Sequence, residues 1–222
     1  FKHLEQLEDG KRKANRACES VKTLKELVND NNQKVKEEEE IAKKRKEAME
    51  KLQTCQAVKQ KLNSIKETYF NLVTTKIKPQ VRGYDLEKVM YDIFDLFDLD
   101  PKASFRNIGE QIDGAFSLEG TDYLFEAKWQ SRIADASDLD SFRGKINRKL
   151  DNTLGLFLSI NGYSEDAIKI HSSGRSTIIL MDGTDLMAVL EGRVDFVSML
   201  IRKRRYAAQT GDIFYRITND LI

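Results

Sequence analysis

The feature that most constrains this fold is a long N-terminal stretch without helix breakers. From residue 1 to about 75 the chain has one glycine, Gly10, and no proline, and Lys, Glu, Gln, Leu and Ala dominate. These residues are strong helix formers, and no part of the stretch alternates like a strand. The first third of the 222 residues is therefore predicted to be helical.

The second half of this stretch has a regular apolar spacing. Intervals of three and four residues separate Cys55, Val58, Leu62, Ile65, Tyr69 and Leu72. Such spacing is typical of a coiled-coil seam. Upstream, Val21 and Leu24 belong to a shorter apolar face, and the turn-favouring run Asn29–Asn32 lies between the two. Two arrangements fit: a helical hairpin that reverses near Asn31, or one long helix that pairs with another chain.

We predict that residues 1–78 form this coiled-coil or hairpin arm, and that it mediates homo-oligomerisation or docking to a partner protein.

Pro79 is predicted to end the helical region, and the pattern then changes. The predicted elements are a helix carrying Leu86 to Phe97, two strands and a turn over 111–129, a helix over 138–152 with Leu150 on its apolar face, a strand over 154–160, a helix from Ser164 to about Ser172, a strand over 177–181, and helices over about 184–191 and 195–205. This order predicts an α/β domain with a mixed sheet over residues 79–222.

Charge is distributed unevenly along the chain. Residues 1–78 hold 19 Lys and Arg against 13 Asp and Glu, a net of +6, whereas residues 79–222 hold 18 against 23, a net of −5. Attraction to nucleic acid must therefore come from local patches or from the N-terminal half. Two cysteines are too few for a disulfide framework, and no run of about 18 apolar residues is present. We expect a cytoplasmic protein that is neither membrane-inserted nor secreted.

The stretch QIDGAFSLEGTDYLFEAKW, residues 111–129, contains the candidate active site. In a strand, side chains alternate between faces, so Glu126, Lys128 and Gln130 share one face. A turn centred on Gly120–Thr121 would place Asp113 opposite Lys128 and diagonal to Glu126. The carboxylates of Asp113 and Glu126 are then expected to converge.

Two converging carboxylates repel each other and favour a bound cation. Hard oxygen ligands that leave room for water and phosphate oxygens suit Mg²⁺ or Mn²⁺ rather than Zn²⁺. Lys128 would add a positive charge beside them, and Gln111 shares the face of Asp113 as a supporting polar group. The pattern acid-x-Lys is weak by itself, since the chain has it at Asp9, Asp100 and Glu126. A solvated charged face on an edge hairpin fits the same residues.

Several segments together resemble a known group of nucleases. They are Arg82-Gly83 with Glu87 on the following helix, Gln111-Ile112-Asp113-Gly114, and Glu126-Ala127-Lys128-Trp129. These segments resemble the PD-(D/E)xK nuclease superfamily, and within it the Mrr-like restriction endonuclease domains. Lys145, Thr153–Ser159 and Gly162 resemble the segment that follows the active site in that group. The resemblance covers residues 79 to about 180, and Ile112 stands where the superfamily often has proline.

The resemblance implies a restriction-endonuclease-like fold, with a mixed sheet flanked by helices. It implies that Asp113 and Glu126 bind the divalent metal, that Lys128 serves the attacking water, and that Glu87 completes the site. Candidate phosphate contacts on the helix that follows are Arg143, Lys145, Arg148 and Lys149, and a second basic cluster spans 202–205. Clusters of this kind also occur as ordinary helix surface.

From these residues we expect a Mg²⁺- or Mn²⁺-dependent endonuclease that acts on DNA. A role in restriction or defence against foreign DNA follows from the resemblance alone. The alternatives are a related nuclease acting on RNA or in repair, and a catalytically silent domain of this fold that binds nucleic acid or scaffolds an assembly. A silent relative is expected to lose Asp113, Glu126 or Lys128, and all three are present.

Overall fold

The chain divides into two compact units, Phe1–Gln56 and Ala57–Ile222. The computed structural model describes residues 9–107 and 110–217, without the side chains at 11, 14, 26–42, 48, 50, 51, 54 and 107. Among the described residues, no helix combines the length and the apolar character needed to cross a membrane.

The first element is one helix, α1, which spans Gly10–Thr74. Its backbone stays helical through Asn29–Asn32, so the structure has the long helix, and the alternative reversal near Asn31 is absent. Asn and Asp cost a helix only about 0.7 kcal/mol each, far less than proline. Val21 and Leu24 on the shorter apolar face are exposed. Pairing of α1 with another chain stays a prediction.

The predicted coiled-coil seam is partly covered by the chain itself. Leu62, Ile65, Tyr69 and Leu72 are buried in the main hydrophobic core of the second unit, whereas Cys55 is exposed. Regular spacing of apolar residues defines a stripe on a helix but not what covers that stripe. The second unit therefore includes the end of the predicted arm.

The second unit is an α/β domain built on a mixed four-stranded sheet. After α1 its elements are α2 (Pro79–Leu96), β1 (Phe105–Asn107), β2 (Glu110–Ile112), β3 (Gly114–Leu118), β4 (Thr121–Lys128), α3 (Ala136–Ile146), β5 (Leu154–Ser159), α4 (Glu165–Ser172), β6 (Ile178–Asp182), α5 (Gly183–Leu190) and α6 (Phe196–Thr210). The sheet order is β3-β4-β5-β6, with β3 antiparallel to β4 and the other pairs parallel. Strands β1 and β2 form a separate antiparallel pair. The prediction of a mixed sheet in an α/β domain is confirmed.

Local signals set several helix ends. Pro79 occupies the first turn of α2, where its missing N–H leaves no donor unsatisfied. Ser164 caps α4 by accepting a hydrogen bond from the Ala167 N–H at 3.2 Å, as predicted. The prediction that α3 continues to residue 152 is wrong. It ends at Ile146, and Leu150 is 75% exposed because the turn-forming residues 147, 151 and 152 follow.

The sheet has an apolar layer on each face, and β4 contributes to both. Phe125 packs with Phe94 of α2 in the main core, whereas Leu124 packs with Phe142 of α3 in a second core. Residue 126 has the same strand parity as Leu124 and so lies on the α3 face. This arrangement places β4 between two helices that both carry candidate site residues.

Candidate active site

A tight turn joins β3 to β4 and sets their register. Leu118 pairs with Thr121, which leaves Glu119 and Gly120 as the two turn residues, with φ angles of 51° and 74°. Two consecutive positive φ angles are typical of the two-residue hairpin turns whose twist matches that of the strands. The predicted turn centre at Gly120–Thr121 is therefore wrong.

The corrected register brings Asp113 closer to Glu126 than predicted. Gly114 pairs with Phe125, and the same register continued by one residue takes Asp113, which lies just before β3, toward Glu126 rather than toward Lys128. The Ala127 N–H donates a hydrogen bond to Asp113 Oδ2 at 3.1 Å. The backbone of β4 therefore holds the Asp113 carboxylate beside Glu126.

Glu126 is a buried carboxylate with two ammonium partners. Its residue is 3% exposed. Lys128 Nζ lies 3.2 Å from Oε1, and Lys145 Nζ, from α3, lies 2.6 Å from Oε2. The prediction that Glu126 and Lys128 share one face of the strand is confirmed by their contact. The contact between Lys145 and Glu126 has no signal in the sequence, because the two residues are 19 positions apart and no spacing rule connects a helix to a strand in that way.

Glu87 belongs electrostatically to the same site. Burial, then the nearby charges of Asp113 and Glu126, raise its pKa from 4.5 to about 7, and Lys128 opposes this shift. Burial also raises the pKa of Asp113, which Glu126 raises further, while the Ala127 N–H, Lys145 and Lys128 lower it. Three carboxylates thus share one partly desolvated region.

The two predicted supporting glutamines make no described hydrogen bond to this cluster, although Gln130 lines the same cleft as Lys128. Gln111 lies in β2 in register with Arg106. Gln130 is exposed, and its backbone carbonyl accepts a hydrogen bond from the Asn161 side chain. Within residues 9–107 and 110–217, neither glutamine side chain hydrogen-bonds to the clustered charges.

The predicted phosphate contacts on α3 and just after it each have a partner within the chain. Arg143 donates to the Arg175 carbonyl at 3.0 Å. Glu110 pairs with Lys149 at 2.6 Å and with Arg148, and both cations lower its pKa. Contact of these side chains with phosphate stays a prediction. It requires each side chain to leave its present partner or to bind that partner and the phosphate together.

The second basic cluster includes a residue that cannot face a phosphate. Lys203 Nζ lies 2.7 Å from Asp185 Oδ2, and both side chains are fully buried. Asp185 also accepts hydrogen bonds from the backbone of Asp182 and Ile217. This ion pair joins α5, α6 and the chain after α6, so Lys203 has a structural role that its place in a basic run did not indicate.

Two clefts open beside the clustered charges. One, of about 230 Å³, is lined in part by Glu87 and Asp113 together with Tyr84 and Tyr91. The other, of about 440 Å³, is lined in part by Lys128. The charged groups are therefore reachable from solvent on two sides.

The site offers two carboxylates, those of Asp113 and Glu126, as candidate ligands for a cation. In the described part of the chain, no group of three or more His, Cys, Asp or Glu side chains is arranged to hold a metal ion. Asp113 uses Oδ2 for the Ala127 N–H, and within the described residues its Oδ1 accepts no hydrogen bond. A cation held by Asp113 and Glu126 would complete its shell with water or substrate oxygens, as Mg²⁺ usually does.

Comparison with known proteins assigns no family. No family model matches the chain, and no curated protein matches it. A solved structure of MspJI restriction endonuclease in complex with a 27-mer oligonucleotide is similar at 13% identity with a TM-score of 0.37. The similarity covers 71% of this chain and 38% of that one, so the chain spans well under half of the MspJI chain.

Proposed function

We propose that this protein is a divalent-metal-dependent DNA endonuclease of the PD-(D/E)xK superfamily with a restriction-endonuclease-like fold. The observation that carries the proposal is the convergence of acid and lysine side chains at the end of β4. The hydrogen bond from Ala127 to Asp113 and the ion pair between Lys128 and Glu126 bring groups from both strands of the hairpin together. The resemblance of the sequence segments around Glu87, Asp113 and Glu126 to that superfamily supports the same function.

Asp113 and Glu126 would hold the metal, Mg²⁺ or Mn²⁺. When bound, such an ion polarises a phosphate and lowers the pKa of a water molecule. Lys128 would orient the attacking water or offset the charge that develops on the phosphate. Glu87, with a pKa of about 7, can take up a proton at its carboxylate near neutral pH.

DNA is the proposed substrate, and restriction or defence against foreign DNA is the proposed role, both on the resemblance of the motifs. The N-terminal helical region is proposed to mediate homo-oligomerisation or docking to a partner protein. Arg143, Arg148 and Lys149 are proposed to contact phosphates. Residues 79–222 have a net charge of −5, so attraction to DNA in this region has to come from local clusters of cations.

Plasmid cleavage tests the catalytic proposal. We expect the wild type to nick or linearise supercoiled plasmid in Mg²⁺ or Mn²⁺ and to be inactive in EDTA. Asp113→Ala and Lys128→Ala should each lower the rate by about 10²-fold or more, because each removes a group that acts on the metal or on the reacting atoms.

Asp122→Ala is the matched control for these variants. Asp122 lies in the same hairpin, where its carboxylate accepts a hydrogen bond from Ser117 Oγ at 2.6 Å. This variant should keep wild-type cleavage. Equal cleavage by the wild type, Asp113→Ala and Lys128→Ala would reject the catalytic proposal.

A catalytically silent nucleic-acid-binding or scaffolding domain is the second candidate. It is favoured by the two lysines on Glu126, because a buried carboxylate that already has two internal cations needs no metal to stay in place. This candidate predicts that the wild type shifts labelled DNA in a gel without cleaving it in Mg²⁺ or Mn²⁺. Metal-dependent cleavage that is lost in Asp113→Ala excludes it.

A further inference from the structure

Each carboxylate oxygen of Glu126 has its own lysine. Lys128 Nζ lies 3.2 Å from Oε1 and Lys145 Nζ lies 2.6 Å from Oε2. The Glu126 side chain is 5% exposed, so these ammonium groups provide most of its solvation. A buried carboxylate that lost both partners would be strongly destabilised. In the metal-free protein the proposed metal ligand is therefore held by two internal cations.

The two lysines differ in how they can respond to another cation. Lys128 belongs to the same strand as Glu126, two residues further on, so its position is tied to that of the carboxylate. Lys145 reaches Glu126 from α3 across the face of the sheet, and its side chain is 16% exposed. A lysine has a flexible four-carbon stem. Either side chain can rotate away without movement of β4, but only the departure of Lys145 frees Oε2 and leaves Lys128 beside the site.

The formal charge of the site also changes when a metal enters. Glu87, Asp113 and Glu126 carry three negative charges when ionised, and the two lysines offset two of them. A divalent cation in the same place would leave a surplus of one positive charge if both lysines stayed. One ammonium group is then available for a negatively charged ligand such as a phosphodiester.

We propose that Lys145 is a positioning residue that holds Glu126 in the metal-free protein, and that a divalent cation displaces it from Oε2 so that its ammonium group can contact a substrate phosphate. This inference rests on the proposed metal site. It differs from the sequence-based expectation for Lys145, because the phosphate contact would exist only after the metal has bound. Arg148 and Lys149, which pair with Glu110 instead, would not respond in this way.

Mn²⁺ binding to the full chain tests the displacement. Free Mn²⁺ is followed by electron paramagnetic resonance for the wild type, Lys145→Met and Lys149→Met. Losing a charged hydrogen bond that competes with the metal should tighten Mn²⁺ binding by Lys145→Met about tenfold. Lys149→Met removes the same charge nearby but does not touch Glu126, so its Mn²⁺ affinity should match that of the wild type.

Lys145→Gln is a second variant in case Lys145→Met does not fold, since glutamine keeps a hydrogen-bond donor near Glu126 without the charge. It should also bind Mn²⁺ more tightly than the wild type. Fluorescence anisotropy with a labelled DNA duplex supplies a second readout. Lys145→Met should bind DNA more weakly than the wild type in Ca²⁺ but equally well in EDTA, where Glu126 already engages Lys145.

The outcomes separate the two proposals. If the wild type binds Mn²⁺ and Asp113→Asn does not, but both Lys145 variants bind it no more tightly than the wild type, the displacement is overturned and the metal site stands. DNA binding that Lys145→Met weakens equally in Ca²⁺ and EDTA also overturns the displacement. If the wild type binds no Mn²⁺, or if Asp113→Asn binds it equally well, the metal site and the displacement both fail.

Discussion

At the scale of single residues, the pKa of Glu87 shows the effect of the crowded carboxylates most clearly. Its pKa of about 7 results first from burial and then from Asp113 and Glu126. A carboxyl group whose pKa is higher in the folded protein than in the unfolded chain binds more protons when folded. Below pH 4.5 it is protonated in both states, and above pH 7 it is ionised in both, at a cost to the folded state.

The metal-free protein should therefore lose stability as pH rises from about 4.5 to about 7, and Glu87→Gln should remove this contribution. The unfolding free energy of the variant minus that of the wild type should be larger at about pH 8 than at about pH 5. We expect the increase to be about 1–2 kcal/mol, after allowance for the partial exposure of Glu87. Urea unfolding in EDTA at both pH values measures this. Glu165→Gln, on the exposed surface of α4, is the control. Equal pH slopes for Glu87→Gln and the wild type would contradict the prediction.

At the scale of elements, the turn between β3 and β4 has the largest effect on the site. Its two residues have positive φ angles, and the register they set takes Asp113 toward Glu126. An ordinary L-residue pays about 1–2 kcal/mol to adopt such a backbone conformation, whereas glycine pays little. The glycine at position 120 is thus a local requirement of the hairpin.

Two glycine substitutions should change stability in opposite directions. Gly120→Ala should lower the unfolding free energy by about 1 kcal/mol, because its φ angle is 74°. Gly83→Ala, within α2, should raise it by about 0.5–1 kcal/mol, because alanine favours a helix and a Cβ there would meet no described atom within 4 Å. Urea unfolding of both variants checks the signs. A gain in stability for Gly120→Ala would mean that the turn differs from the one described.

Periodicity and turn residues were sufficient to predict most elements but not their register. The apolar strands β5 and β6, the cap at Ser164 and the shared face of Glu126 and Lys128 follow from local patterns, and all are confirmed. The turn was misplaced by one residue because Glu119, which is not a typical turn residue, adopts a positive φ angle. The contact between Lys145 and Glu126 depends on how α3 packs on the sheet, which no local pattern specifies.

At the scale of the whole molecule, the end of α1 is part of the α/β domain. Tyr69 stacks on Trp129 with ring centroids 5.5 Å apart, and Trp129 directly follows Lys128. Leu62, Ile65 and Leu72 are buried in the core that also contains residues from α2 and the sheet. The sequence predicted the apolar stripe correctly but not its partner, because spacing describes only one side of a contact.

Shortened chains should separate the contributions of the two parts of α1. A chain of residues 57–222 should fold cooperatively. A chain of residues 79–222 lacks four buried apolar side chains and should be less stable by about 5 kcal/mol or more, which approaches the entire stability of many domains. Thermal unfolding followed by circular dichroism compares the two. If both melt at the same temperature, the packing of Leu62 to Leu72 contributes little to the fold.

The turn at Glu119 and Gly120 also restricts how this protein can change over evolution. Exposed loops usually gain and lose residues freely. Here an inserted residue that shifted the pairing by one position would turn Asp113 away from Glu126, since neighbouring residues of a strand point to opposite faces. The Glu119 side chain pairs with Arg204 of α6, but it is the length of the turn that sets the register of the strands. Among descendants of this sequence that keep the site, insertions should therefore accumulate in other loops and be absent from this hairpin.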